Sequence, residues 1–275
     1  MPARAPWLLA LSLCLFAACS HVAAATREPA TALGKLLLSP EDEAAIGEQL
    51  AAQVEQQEKI LDDEETQRFV REVGARIADA VPEGERRFPF QIQVIDSPGT
   101  VNAFALPGGY LYIYSGLIAA AESEAELASV LGHEVAHVTL GHASQQLAAQ
   151  VGTEALAALA LGNDPGLVAQ LAAGIAAQGY LAAYSRMDEE AADSTGLGYL
   201  AGAGYEAEAM ASFFRKLQRM ESSDRNAVAA FFASHPAPKD RVEAIERMIR
   251  ERGYEGGRSS IVGGLDGVKS RLESK

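Results

Sequence analysis

Residues 133–137 read HEVAH, and no other five-residue stretch limits the fold so sharply. The pattern needs an α-helix. Four residues turn about 400° and rise roughly 6 Å, so His133 and His137 lie one turn apart on one face. Two imidazoles placed that way can take adjacent corners of a zinc tetrahedron. Glu134 is rotated about 100° from His133, close to such a metal yet free of it, and can act as a base toward water. The bland alternative is a polar helix face, and a two-histidine site needs a third ligand to displace it.

That ligand has a candidate downstream. In SRMDEEAADSTG (185–196), Glu189 and Asp193 are also four apart and share a helix face. Taken alone, this is what a solvated acidic face looks like. Beside HEVAH it is also what the zinc site lacks: Glu189 as third ligand, and Asp193 accepting the N–H of a liganding histidine to fix its tautomer. A metzincin pattern is excluded, because Leu140 and Ala143 stand where it needs glycine and histidine. His142 falls roughly 140° around the helix from His137, so it reads as structural.

The chain has 275 residues, 48% of them hydrophobic and 22% charged, enough for one sizeable core. A net charge of −14 argues against nucleic acid as a partner. The first residues, MPARAPWLLALSLCLFAACS, join Arg4 to a twelve-residue apolar run and then small residues. Such a run suits a secretory signal and is short for a permanent span. FAAC (16–19) resembles a bacterial lipobox, with cleavage before Cys19 and lipid on its sulfur; Ala23-x-Ala25 is an ordinary signal-peptidase site. Cys14 and Cys19 are the chain's two cysteines, so a mature chain starting at 19 has no internal disulfide partner. The expected organisation is a signal at 1–18, a tether at 19–38, a globular domain at 39–250 and a flexible tail at 251–275. The expected location is the periplasm, anchored to the outer membrane by lipid.

Within the domain, Ser39-Pro40-Glu41-Asp42 opens a helix with an N-cap, a first-turn proline and acids at the dipole's positive end. A second helix opens at Asp62 or Asp63. FQIQVI (90–95) alternates with period two, and VNAFAL (101–106), Pro107-Gly108-Gly109 and YLYIYS (110–115) read as a tight strand pair. The tyrosines of the last strand read as sheet-surface residues. Ser123 to Glu126 has the form of a capping box for the HEVAH helix. Leu167 to Tyr184 reads as a packed core helix in preference to a membrane span. Further helices are predicted at about 187–200, 205–221 and 238–251.

HEVAHVTLGH followed by EEAAD (189–193) resembles the HExxH…ExxAD zinc peptidases, a family that includes CAAX prenyl endopeptidases, HtpX and periplasmic BepA-type enzymes. SPEDEAAIGEQLA (39–51), VNAFALPGGYLYIYSGL (101–117) and SHPAPKDRVEAI (234–245) resemble three more segments of that family, in order. The resemblance covers about residues 39–250 and fits a short lipoprotein branch. It implies an α+β, mostly helical, zincin-like domain with a small sheet and an active-site helix. It implies one zinc on His133, His137 and Glu189, with Glu134 as base. His235 and Arg241 become candidate donors to the reaction's oxyanion, and His235 alternatively a fourth zinc ligand in a latent state. Substrate is expected as an added strand along 101–105, at Asn102, Ala103 and Phe104. Unfolded or misassembled envelope proteins are the expected substrates. The rival reading is a zinc-bearing chaperone or assembly factor for outer-membrane proteins; the intact Glu134 speaks against it, since a structural site has no use for a base.

Overall fold

The computed structural model describes residues 39–146, 148, 149, 166, 183–236 and 240–274. The signal, Cys19, the tether and nearly all of the stretch 153–183 lie outside them. Among the described residues no helix is long and apolar enough to cross a membrane.

The first two helices begin where their caps predict. Helix α1 (Pro40–Gln57) is capped by the Ser39 hydroxyl, which accepts from the Asp42 N–H at 3.1 Å. Helix α2 (Glu64–Asp79) is capped by Asp63, which accepts from the Thr66 N–H at 2.9 Å. Ile46, Leu50 and Val54 of α1, and Phe69, Val70, Val73 and Ile77 of α2, recur every three or four residues and are all buried.

Strands β1 (Gln91–Ile95), β2 (Ala103–Ala105) and β3 (Tyr110–Tyr114) form one sheet in the order β1-β3-β2. β1 runs parallel to β3, while β2 is antiparallel to it, with Phe104 opposite Tyr112. β2 is therefore an edge. The tyrosines depart from expectation at Tyr112, which is buried under α1 with its hydroxyl 3.4 Å from the Ala51 carbonyl. Alternation gave Tyr112 a face, but not the helix that covers that face.

A short helix α3 (Ser115–Ala120) leads to α4 (Glu124–Thr139), which carries HEVAH. Every residue of α4 from Glu124 to Val138 is buried, because α2, β2, α5 (Arg186–Gly202) and α6 (Glu208–Ser223) surround it. Ser123 caps α4 by accepting from the Glu126 N–H at 3.2 Å. The reciprocal half of the box differs: Glu126 accepts from the Glu122 N–H, Lys216 and Ser212 instead. Helices α7 (Arg225–Ser234), α8 (Arg241–Arg252) and α9 (Leu265–Glu273) complete the described elements.

The flexible tail expected at 251–275 is corrected by α9 and the segment before it. Glu124, on the first turn of α4, accepts from the N–H groups of Ile261, Val262 and Gly263 at 3.1, 2.8 and 2.7 Å. The hydroxyls of Ser260 and Tyr205 also donate to it, at 2.8 and 2.6 Å. Leu265 and Val268 of α9 are buried, and α9 packs on α2 and α3. Small and polar residues in GGRSSIVGG carry no periodicity, so their shared partner 136 or more positions away was invisible locally.

Candidate metal centre

The site forms where α4 and α5 cross at a pair of glycines. A Cβ on Gly196 would lie 2.7 Å from the Gly132 carbonyl oxygen and 2.9 Å from the His133 nitrogen. Only glycine permits this approach, and it brings the carboxylate of Glu189 to the two histidines of α4. His235, which ends α7 at its C-cap, completes the group.

Four atoms converge there. His137 Nε2 lies 3.1 Å from His133 Nε2, which is 3.4 Å from His235 Nδ1. Glu189 Oε1 is 2.9 Å from His235 Nδ1 and 3.4 Å from His137 Nε2, and its Oε2 is 3.6 Å from His133 Nε2. One ligand atom from each residue lies within 4.8 Å of all the others. Donors about 2.0–2.2 Å from a tetrahedral ion stand about 3.3–3.6 Å apart. The measured edges cluster around that value. Three imidazoles and one carboxylate, all buried and converging on one point, form a metal-binding donor set, so the residues fit a metal ion.

Second partners orient the ligands. His133 Nδ1 donates to Asp193 Oδ1 at 3.0 Å, which leaves Nε2 as the lone-pair donor. His142 is not in the group; its Nδ1 lies 2.9 Å from His137 Nδ1, behind that ligand, and its Nε2 is 3.6 Å from Asp188. That is the structural part expected of it.

Arg241 departs from expectation. It grips Asp193 with two hydrogen bonds of 2.7 Å and lies flat over Phe214, 3.9 Å from the ring centre. Its Nη1 is 2.8 Å from Glu189 Oε2, a charge contact without hydrogen-bond alignment. Its donors thus face Glu189, a member of the group, and Asp193, which holds His133. Only the family resemblance pointed to Arg241, and a motif says nothing of which way a guanidinium turns.

The charges are mutually adjusted. Burial raises the pKa of Glu134, against the positive charges of His235, His133 and Arg241. Burial holds His137 well below its ordinary value, as a neutral ligand requires. Burial pushes Glu189 and Asp193 up, but charge from His235 and Arg241 respectively, with hydrogen bonds to the histidines, outweighs it and lowers both. Glu134 is fully buried beside the group, its Oε1 3.5 Å from His235 Nε2.

The expected substrate edge is placed more selectively. The Tyr114 N–H donates to the Asn102 carbonyl and the Leu106 N–H to that of Tyr110. By alternation Asn102, Phe104 and Leu106 direct their main chain toward β3, and Ala103 and Ala105 direct theirs outward. Phe104 stacks on Tyr112, with centroids 5.2 Å apart. Its main chain is spent within the sheet, so Ala103, not Phe104, can offer hydrogen bonds to an added strand. Asn102 is buried with its Oδ1 unpaired.

Residues 64–249 match the model of Peptidase family M48. The chain belongs to peptidase family M48. Similar M48-type proteins include the beta-barrel assembly-enhancing protease of Yersinia pestis, 28% identical over 74% of this chain and 43% of that protein. The mitochondrial metalloendopeptidase OMA1 of Schizosaccharomyces pombe is 31% identical over 59% of this chain and 47% of its own length. Metalloprotease LoiP of Escherichia coli K12 is 31% identical over 56% of this chain and 61% of its own. The chain thus spans about half the length of the relatives it matches. In this M48 chain the four-donor group and Glu134 all lie within the matched region. One neighbour has no counterpart among the residues that spacing or motif singled out. Tyr184 stacks on His137, 3.8 Å between ring centres and 21° between planes. It lies at the end of an apolar run, where nothing local marks it.

Proposed function

We propose that the chain is a zinc-dependent endopeptidase of the bacterial cell envelope that degrades unfolded or misassembled envelope proteins. The observation that carries this reading is the buried group of His133, His137, Glu189 and His235 with Glu134 beside it. Two imidazoles and a carboxylate form a donor set that suits zinc. When bound, zinc supplies Lewis acidity, which lowers the pKa of water and polarises a peptide carbonyl. Glu134 takes the proton of the attacking water and returns it to the leaving amine. Asp193, held by Arg241, keeps His133 in its ligand tautomer.

His235 guards the site. With Nδ1 among the donor atoms, His235 would serve as a fourth ligand at rest and would keep water out. Substrate requires His235 to swing aside. A substrate strand then pairs with the outward main chain of Ala103 and Ala105. Pairing of this kind demands exposed backbone, which unfolded proteins have and native ones lack. The envelope location rests on the signal and on Cys19, and a relative named for enhancing beta-barrel assembly agrees with it.

The test uses the mature chain. Elemental analysis should find one zinc per chain, and casein digestion should stop on chelation. Glu134→Gln should keep its zinc and lose proteolysis by several orders of magnitude, since the base is not a ligand. Digestion that persists in Glu134→Gln removes this residue from the mechanism. A chain without zinc and without digestion overturns the reading.

A further inference from the structure

Tyr184 stands just before Ser185, the N-cap of α5, and is tied to the other side of the site. Its N–H donates to the carbonyl of Ser234, the residue preceding His235, at 3.1 Å. Its ring is stacked on His137 and lies 5.5 Å from the ring of His235. The side chain is buried, yet its hydroxyl has no hydrogen-bond partner among the described residues. A phenylalanine would make the same stack without stranding a polar group, and a buried hydroxyl left unpaired is destabilising. Packing alone therefore does not explain the phenol oxygen.

The endopeptidase reaction still lacks a donor. Negative charge builds on the peptide carbonyl oxygen as water attacks, and besides a metal such sites use a fixed N–H or O–H aimed at that oxygen. Arg241 gives two hydrogen bonds to Asp193 and turns its Nη1 to the Glu189 carboxylate, and His235 starts among the ligand atoms and must move away before substrate enters. The Tyr184 hydroxyl is uncharged at working pH, already desolvated, and rigidly held beside a ligand.

We propose that Tyr184 is a catalytic residue whose hydroxyl donates a hydrogen bond to the carbonyl oxygen of the scissile peptide in the transition state. No proton leaves the phenol, and no bond to it is made or broken. The assignment rests on the endopeptidase reading and names a donor that reading leaves open.

Tyr184→Phe in the full chain tests it, because the ring and its stack stay. Turnover of a peptide substrate should fall about 10²- to 10³-fold, the usual effect of removing one such donor. Zinc content and KM should stay within about twofold of wild type, and the melting temperature should hold or rise. A phosphinic peptide, which mimics the tetrahedral state, should bind more weakly by about the factor lost from kcat/KM, whereas an uncleaved substrate analogue should bind as before. A role as a mere wall for His137 predicts neither split. Wild-type kcat in Tyr184→Phe overturns the assignment alone, and so does a variant whose lost activity is matched by lost zinc. Absence of turnover in the wild type overturns the endopeptidase reading and this assignment with it.

Discussion

Gly196→Ala tests whether the close crossing of α4 and α5 is what builds the metal site. The added Cβ would meet the carbonyl oxygen and carbon of Gly132 at 2.7 and 2.8 Å and the His133 nitrogen at 2.9 Å. All three are backbone atoms, so no side chain can turn away. Restoring ordinary contact near 3.4 Å needs the helices to part by about 0.7 Å at this point. A metal site tolerates roughly 0.2 Å in its ligand distances, and Glu189 lies two turns along the displaced helix. Zinc affinity should fall about 10- to 100-fold, as when ligand-supporting groups are lost. Overpacking costs about 1–3 kcal/mol, against roughly 1 kcal/mol returned by alanine's helix preference. The metal-free chain should therefore lose up to about 2 kcal/mol. Gly198→Ala, two residues on, is the control: its Cβ meets only the Tyr254 hydroxyl at 3.6 Å, so it should be neutral or stabilising. Competition with a chromophoric chelator gives the affinity, and urea unfolding of the stripped chain gives the stability. If Gly196→Ala behaves like Gly198→Ala in both, the crossing does not control the site.

His235→Ala should keep zinc on the three remaining ligands and raise basal cleavage of unfolded protein; a variant whose basal cleavage equals wild type makes His235 a bystander. Glu124→Gln should free residues 258–273, seen as faster amide exchange there, and cost about 2 kcal/mol at neutral pH by weakening hydrogen bonds to a charged group. Burial raises the Glu124 pKa, but its bonds to Tyr205, Val262, Gly263 and Ser260 outweigh that and hold it below the ordinary 4.5. Its contribution is therefore complete above pH 4.5 and disappears as pH falls through the lowered value. Wild type and Glu124→Gln should converge in acid, and a gap that stays constant in acid contradicts the linkage. Cys19→Ser should abolish fatty-acid labelling and release the protein from membranes; retention without label points to an anchor elsewhere in the chain.

Features that depend on a few neighbouring residues are legible in the sequence alone. Ser39, Asp63 and Ser123 cap their helices because a hydroxyl or carboxylate reaches only two or three residues along the chain. His133 and His137 share a face for the same local reason, as do Glu189 and Asp193, so spacing reveals the two halves of the metal site. Alternation likewise announces β1, and the turn Pro107-Gly108-Gly109 announces the pair of β2 and β3. Which face meets which is another matter. Nothing in the spacing near Gly132 or Gly196 says that these two residues touch, yet their contact sets the distance between the two halves. His235 enters only through family likeness, and it approaches His133 across 102 positions of chain. Arg241 likewise enters through family likeness, and the sequence does not show that Asp193 takes two of its hydrogen bonds and that its Nη1 faces Glu189. The stranded hydroxyl of Tyr184 and the three N–H groups gathered by Glu124 leave no local trace at all. Short-range pattern reports the period of a segment and the chemistry it carries. Long-range packing decides which buried groups find partners and which are left free to act, and only the tertiary structure contains that.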